Sequence, residues 1–200
     1  MNTFVRRSVL LLILLPILLP LSAAGQALSV LGGDAWAQAC YDNAEFAAKN
    51  FPVVSRSLLE PCDSALDYGT LSLADRAATY ANRGIIKAAT DDLDSAMSDY
   101  AKAMTFRPES AEIYVNRGNA YFLEKDFAMA LADYEESIAL GLRELEIVRY
   151  NMGMAYEQLG NYRQAESEFR TALEQQPGWE LVEKRLARNL EIQRRRAEEN

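Results

Sequence analysis

Apolar and polar residues along positions 77–179 follow the spacing of amphipathic helices, and the same pattern occurs three times. Large apolar side chains recur at i, i+3, i+4 and i+7, which predicts helices with one buried face. Gly84, Gly118 and Gly153 are 34 and 35 residues apart, and each is followed by an alanine after twelve positions and an aromatic residue after sixteen. These residues are Ala96, Ala130 and Ala165, and Tyr100, Tyr134 and Phe169. The period predicts three stacked helix-turn-helix units.

The small residues mark the place where the two helices of a unit cross. Glycine has no Cβ, so a second helix can approach closely at that point, and a small alanine on the second helix keeps the crossing narrow. Pro108 and Pro177 are predicted to end the second helix of the first and third units. Gly141 is predicted to do the same in the middle unit.

In these residues the chain resembles the tetratricopeptide repeat family. The resemblance covers 77–110, 111–144 and 146–179, which is about half of the chain, with one extra residue near Gly141. It implies an all-α fold, a right-handed superhelical stack of helix-turn-helix repeats. The chain departs from the family pattern at Lys87, where an aromatic residue is usual, and at Leu142, where the terminal proline is usual. Arg83, Arg117 and Met152 replace the leucine that usually precedes the glycine.

Segments on both sides of the repeats are predicted to cap the stack. Residues 38–70 read as a degenerate helical hairpin, because Cys62 and Ala65 keep the spacing of the aromatic and small residues of the repeats. At the other end, 180–197 is predicted to be an amphipathic capping helix. Val182, Leu186 and Leu190 recur there at four-residue spacing, so we expect them to close the last open side of the array.

The N-terminus, 1–24, has the features of a secretory signal peptide. Two arginines precede a run of 13 apolar residues from Val9 to Leu21, and small residues follow. Cleavage after Ala24 satisfies the small-residue rule, and so does cleavage as late as 37–39. Prolines interrupt the apolar run, which disfavours an uncleaved anchor, and no membrane span is expected after cleavage. We therefore expect an exported protein, with the periplasm as its favoured location.

The chain has two cysteines, Cys40 and Cys62, and both follow the first predicted cleavage site. An even number of cysteines in an exported chain favours a disulfide. Such a bond would pin the N-terminal hairpin and contribute on the order of 3 kcal/mol by the loop-entropy estimate. Lipidation of Cys40 is the weaker alternative, because the preceding residues match a lipoprotein box poorly.

Composition and charge argue against several classes of function. Acidic residues outnumber basic residues by 29 to 21, which disfavours nucleic acid as a partner. The chain has no histidine, so it lacks the commonest general base and metal ligand. It also lacks a glycine-rich phosphate loop and any nucleophile arrangement. The sequence therefore predicts a protein that is not an enzyme, with no catalytic residue, no metal site and no cofactor.

The resemblance implies a groove that the first helices of the units line, in which a segment of a protein or peptide partner binds. The family's groove positions correspond here to Asn82, Ile85, Asn116, Asn119, Phe122, Tyr150, Asn151 and Met154. Asn82, Asn116 and Asn151 form a ladder, and an asparagine amide can both donate to and accept from a peptide backbone. The alternative is that these amides only bond to neighbouring turns. The family's carboxylate clamp is not expected, because its basic positions hold Ala81, Ile147 and Asn151.

Arginine and acid residues recur beside the helix crossing, as Arg83 with Asp99 and Arg117 with Asp133. We expect solvated ion pairs or packing stems, worth at most about 1 kcal/mol each. The resemblance is to exported bacterial members of the family, which implies a non-catalytic protein-protein interaction scaffold of the cell envelope. The alternative is a structural component of an envelope assembly, with a groove that is occluded or used for self-association, and hence a possible homo-oligomer.

Overall fold

The computed structural model describes residues 28–29 and 34–199, and the predicted signal peptide lies outside them. This described part is all-α, without any strand, which confirms the predicted fold class. A 3₁₀ turn, Arg56–Leu59, leads into the second helix. The helices are α1 (Ala35–Asn50), α2 (Glu60–Tyr68), α3 (Leu73–Ala89), α4 (Leu93–Phe106), α5 (Ala111–Leu123), α6 (Phe127–Ala139), α7 (Leu145–Gln158), α8 (Tyr162–Gln175) and α9 (Glu180–Glu198).

The helices pack as consecutive pairs, with α3 against α4, α5 against α6 and α7 against α8. The hairpin of α1 and α2 precedes the three units and packs on α3, and α9 packs on α8. Because each pair contacts chiefly the next one, the core is continuous along the stack. In the part of the chain that has been described, no helix has the length and apolar character that a membrane crossing requires.

Each repeated glycine lies against the ring of the paired helix. A Cβ added at Gly118 would lie 2.7 Å from Cε1 of Tyr134 and 3.2 Å from the carbonyl oxygen of Ala130. A Cβ at Gly84 would lie 2.6 Å from Cε1 of Tyr100. The rings are fully buried, so they have little room to move away. The crossing therefore accepts no side chain on the first helix.

The turn between the two helices of a unit has the same backbone conformation in all three units. Asp91, Lys125 and Gly160 have φ angles of 64°, 66° and 76°. In each unit the next residue donates its N–H back to the first helix, as Asp126 does to the carbonyl of Tyr121 over 2.9 Å. This closure satisfies carbonyls at the helix end, and only the third unit uses glycine for it.

The N-terminal hairpin is closed by a disulfide between Cys40 in α1 and Cys62 in α2. Both cysteines are fully buried, with Ala44 and Ala47 of α1 in the same cluster as Ile86 of α3. The disulfide thus links α1 to α2 covalently, and the buried cluster packs the hairpin against the first repeat.

The start of α3 is capped by Ser72. Its hydroxyl oxygen accepts the N–H of Asp75 over 3.1 Å and donates its hydrogen to the carboxylate of the same residue over 2.7 Å.

The ion pairs beside the crossing are more buried than the sequence suggests. Asp133 is 4% exposed and accepts two hydrogen bonds from Arg117, of 2.8 and 2.7 Å. Asp99 is 1% exposed and is held in the same way by Arg83, with Lys87 as a further donor at 2.6 Å. The expectation of solvated pairs is wrong for these carboxylates, because the stacked helices cover them while the basic side chains reach in from the edge.

In the third unit the acid of this position, Glu168, pairs with Arg149 over 3.0 Å. Met152 holds the position that arginine occupies in the other units. Arg149 precedes it by three residues and so lies on the same face of α7. The third unit thus also has an ion pair between its two helices, but its arginine lies three residues earlier on the first helix than in the other units.

The buried seam of α9 differs from the predicted one. Val182, Arg185 and Asn189 are buried, whereas Leu190 is 38% exposed. Residues spaced by four drift about 40° around a helix at each step, because one turn takes 3.6 residues. Leu186 is half-buried and packs on the same cluster as Val182, as predicted, whereas Leu190 lies off the seam and Arg185 and Asn189 are buried there instead.

We predict that Gly118→Ala lowers the free energy of unfolding by about 2 kcal/mol, because the new methyl group overpacks a crossing that cannot widen. This figure is the net loss, because the higher helix propensity of alanine offsets part of a larger packing cost. Urea denaturation followed by circular dichroism measures the change. Glu135→Ala on the exposed face of α6 is the control, and we expect it to stay within about 0.5 kcal/mol of the parent. Equal stability of Gly118→Ala and the parent would contradict the proposed packing role.

We also predict that Asp133→Ala costs about 2 kcal/mol of unfolding free energy, because it leaves the guanidinium of Arg117 without its buried partner. Glu45→Ala breaks the exposed Lys49–Glu45 pair of α1 and should cost no more than about 0.5 kcal/mol. The same denaturation experiment compares the two. A similar small loss in both variants would show that the Arg117–Asp133 pair behaves as a surface pair.

Candidate functional site

The first helices of the three units, α3, α5 and α7, lie side by side. We define the groove face as the surface formed by the eight predicted groove residues on these helices. Seven of them are buried, with exposures between 0 and 6%, and Phe122 is half-buried. The groove face is therefore largely covered by other parts of the same chain, and the identity of the covering groups decides what it can bind.

Asn82 of α3 holds the backbone of Leu28, a residue outside the helices. Its Nδ2 donates to the carbonyl of Leu28 over 2.9 Å, and its Oδ1 accepts the N–H of the same residue over 2.8 Å. Asn82 is fully buried, and Leu28 is 7% exposed. Both hydrogen-bonding groups of one residue's backbone are thus satisfied by one amide, which is the mode of contact that the asparagine ladder was expected to offer.

The side chain of Leu28 belongs to the buried cluster between the first two units. Ala78 and Ala81 of α3 and Ile113 of α5 are members of the same cluster. The small alanines of α3 leave room for a medium-sized aliphatic side chain beside the helix. The neighbouring residue, Ser29, is exposed. The segment therefore inserts one apolar side chain into the stack and turns the next one to solvent.

Asn151 makes the other type of contact, a bond to the neighbouring unit. Its Nδ2 donates to Oδ1 of Asn119 over 3.0 Å, and the hydroxyl of Tyr134 donates to the same oxygen over 2.8 Å. The middle asparagine of the ladder, Asn116, is 1% exposed. The three ladder positions thus include one that binds the backbone of Leu28 and one that links α7 to α5.

Among the residues that the structure describes, three buried polar atoms on the groove face find no hydrogen-bond partner: Nδ2 of Asn119, Oδ1 of Asn151 and Oη of Tyr150. Asn119 also lines a small cavity of about 20 Å³ between α3, α5 and the end of α1, together with Ile85 and Phe51. A cavity of this volume has room for about one water molecule. The groove face therefore retains hydrogen-bonding capacity beyond Asn82, but the cavity itself is too small for a ligand.

The third unit's part of the groove face lies under α9. The ring of Trp179 packs on Tyr150 with centroids 5.3 Å apart. The guanidinium of Arg185 contacts the sulfur of Met154, with Nε at 2.9 Å, and pairs with Glu157 over 3.1 Å. The capping helix thus covers Tyr150 and Met154, two of the predicted groove residues.

At the opposite end, Ile85 is buried in the cluster that contains both disulfide cysteines. The middle of the groove face is more accessible, since Phe122 is half-buried and packs edge-on against Phe127 of α6 with centroids 5.1 Å apart. Phe122 is accordingly the predicted groove residue that a partner can reach without displacing part of this chain.

Sequence reasoning missed Leu28, Trp179 and Arg185 as groove contacts. The first lies in the short apolar stretch ALSVL, at 27–31. Four apolar residues within five positions are unusual for a solvated linker, so that stretch is the signal in the sequence that points to a buried contact. Trp179 precedes α9 and Arg185 lies within it, and the leucine spacing of that helix indicates neither contact.

Comparison with known proteins supports the tetratricopeptide repeat character of the array. Residues 109–177, the second and third units, match the family model described as tetratricopeptide repeat. Human tetratricopeptide repeat protein 13 is 30% identical over 101 residues, which cover 50% of this chain and 12% of that protein. The match thus spans a small part of the relative's length.

Solved structures share the fold at low sequence identity. The first repeat domain of Spaghetti (RPAP3), bound to an HSP90 peptide, aligns with a TM-score of 0.56 at 24% identity, covering 60% of this chain and 96% of that domain. A thermophilic repeat protein of Thermus thermophilus aligns with a TM-score of 0.61 at 18% identity, covering 76% of this chain and 80% of the other. These likenesses show that the chain forms a tetratricopeptide-type helical stack.

The hydroxyl of Tyr134 beneath the groove face generates a prediction about alkaline pH. Burial, and secondarily the charge of Asp133, raises the pKa of Tyr134, and burial likewise raises the pKa of Tyr100. The folded protein holds these phenols neutral, so their effect on stability is constant below the unfolded pKa of about 10 and unfavourable above it. We predict that unfolding free energy falls above about pH 10.

The variant Tyr134→Phe should lose less stability per pH unit than the parent between pH 10 and 11, by up to about 1.4 kcal/mol, because one phenol no longer ionises on unfolding. Urea denaturation at pH 8 and at steps up to pH 11 measures both slopes. The exposed Tyr68→Phe is the control and should leave the slope unchanged. Identical slopes in all three proteins would show that ionisation of Tyr134 is not suppressed by folding.

Proposed function

We propose that this protein is a non-catalytic interaction scaffold that binds an extended segment of a partner protein on the groove face. The observation that carries the proposal is the pair of hydrogen bonds by which Asn82 holds the backbone of Leu28. A surface that binds the backbone groups of one of its own residues is suited to bind those of a partner segment, since these groups are common to all peptides. The solved repeat domain of Spaghetti (RPAP3), which has this fold, is bound to an HSP90 peptide.

We further propose that the scaffold acts in a bacterial cell envelope, after export through the predicted signal peptide. The apolar run from Val9 to Leu21 supports export. The disulfide of the N-terminal hairpin also supports it, because structural disulfides persist in oxidising compartments such as the periplasm.

A second candidate function is a structural component whose groove face is closed by its own chain. The burial of seven of the eight groove residues favours it, as do the contacts of Trp179 with Tyr150 and of Arg185 in α9 with Met154. In that case an outer surface of the stack contacts the other components of the assembly, and we expect a second copy of the chain to be one of them. The two candidates predict different neighbours for the half-buried Phe122. The scaffold predicts a different protein there, and the structural component predicts this chain or a second copy of it.

Site-specific photocrosslinking from position 122 distinguishes the two candidates. We expect a benzoylphenylalanine placed at Phe122 to give, in intact cells, one dominant adduct with a different protein. The control places the same group at Met129, which is on the second helix of the same unit and 43% exposed. The adduct should be absent from the control, because α6 lies behind the groove face.

Mass spectrometry of the adducts gives the outcome. An adduct with a second copy of this chain, or one internal to the chain, supports the structural component and contradicts the binding scaffold. Equal recovery of one partner from positions 122 and 129 also contradicts a groove-specific interaction. A partner recovered only from position 122 supports the scaffold.

A further inference from the structure

We propose that the segment at Leu28 is a built-in occupant of the groove face, and that it defines the ligand class: an extended peptide with one aliphatic anchor residue whose backbone pairs with Asn82. A partner binds there by displacing the chain's own segment. The inference rests on the proposed function for its biological meaning, because it names the partner class and the regulation of the same site. Its geometry, however, comes from described residues of this chain alone.

The backbone contacts define the first requirement on a ligand. Asn82 is fully buried on α3, and both of its amide atoms engage the N–H and carbonyl of one residue over 2.8 and 2.9 Å. A helix uses these backbone groups internally at its interior positions, so an interior helical residue cannot offer them to a side chain. The ligand must therefore be non-helical at the position that faces Asn82, and an extended peptide meets this requirement along its whole length.

The surroundings of the leucine side chain define the second requirement. Leu28 shares its buried cluster with the apolar side chains of Ala78, Ala81 and Ile113. A charged or strongly polar side chain at this position would be buried without compensation. Ser29, in contrast, is exposed, so the residue that follows the anchor is not selected by burial. The subsite thus selects one aliphatic residue and tolerates variation beside it.

The covalent connection explains why this occupant competes well. Leu28 precedes Asp34 by six residues, and Asp34 caps α1 by accepting the N–H of Ala37 over 2.9 Å. A segment tethered this closely to a fixed helix has an effective concentration on the order of mM. A free peptide of the same sequence must therefore compete with the tethered copy, and its apparent affinity falls in proportion to the fraction of groove face left open.

Processing of the N-terminus bears on the same contact. Cleavage after Ala24 leaves Leu28 attached to the exported chain, whereas cleavage after Ala37 or Ala39 removes it. The proposal requires the first outcome. The intact mass of the exported protein, measured without reduction, distinguishes them, and a mass that places the N-terminus beyond Leu28 overturns the proposal.

The main test measures binding of a fluorescent peptide with the sequence of residues 25–33 to the purified exported protein by fluorescence anisotropy. We expect Leu28→Asp to bind it at least tenfold more tightly than the parent, because the substitution expels the tethered competitor. Ser29→Asp adds the same charge at the adjacent exposed position and should bind like the parent. A peptide with aspartate in place of its leucine should bind at least tenfold more weakly to Leu28→Asp.

Adding Asn82→Ala to Leu28→Asp should weaken peptide binding by about tenfold, because two backbone hydrogen bonds are lost. If Leu28→Asp binds the peptide no more tightly than Ser29→Asp does, or if Asn82→Ala has no effect, the proposal is wrong. Circular dichroism verifies that each variant keeps its helical content.

Hydrogen exchange provides a second readout that does not depend on any substitution at Leu28. The amide of Leu28 should be protected in the parent, and Asn82→Ala should accelerate its exchange at least tenfold. An unprotected amide in the parent overturns the proposal. Peptide binding without any partner adduct at position 122 would instead count against the proposed function alone, while a partner adduct without peptide binding would overturn only this inference.

Discussion

The contact between a glycine and a ring is the constraint on which the rest of the structure depends. Gly84, Gly118 and Gly153 each lie where a Cβ would collide with the ring of the paired helix. The distance between the two helices of a unit, and hence the width of the core, is fixed at that contact. The residue after each glycine is a predicted groove residue: Ile85, Asn119 or Met154. Only in the middle unit does this bring two polar groups together, the hydroxyl of Tyr134 and the amide of Asn119.

The charged pairs are arranged around the same crossing. Arg83 and Arg117 directly precede the glycines, and Asp99 and Asp133 directly precede the rings, so each pair lies next to the glycine-ring contact. Burial of the carboxylates makes the cost of losing one partner larger than for an exposed pair. The pairs therefore help to fix which helix faces which, in a core of small and aromatic residues that offers few other directional interactions.

The groove face is shaped at both ends by segments that do not belong to the three repeats. The N-terminal hairpin and Leu28 cover the first unit, and α9 covers the third, which leaves Phe122 in the middle as the accessible predicted groove residue. In a stack of repeats the terminal units have exposed faces that must be covered, and any element that covers them competes with a ligand for the same atoms. Access to the groove face is consequently a property of the caps as much as of the repeats.

The sequence by itself determined the all-α class, the repeats, and the positions of their glycines, alanines and rings. These features depend on the spacing of residues within one helix or one helical hairpin, which can be counted along the chain. The pairing of Cys40 with Cys62 was also predictable, since these are the two cysteines of the sequence. Only the tertiary structure decided that Asp99 and Asp133 are buried, that Arg185 and Asn189 replace Leu190 in the seam of α9, and that Leu28 pairs with Asn82 across 54 residues. Those outcomes depend on which surfaces meet when distant segments pack. The local spacing of residues does not predict which distant segments will meet.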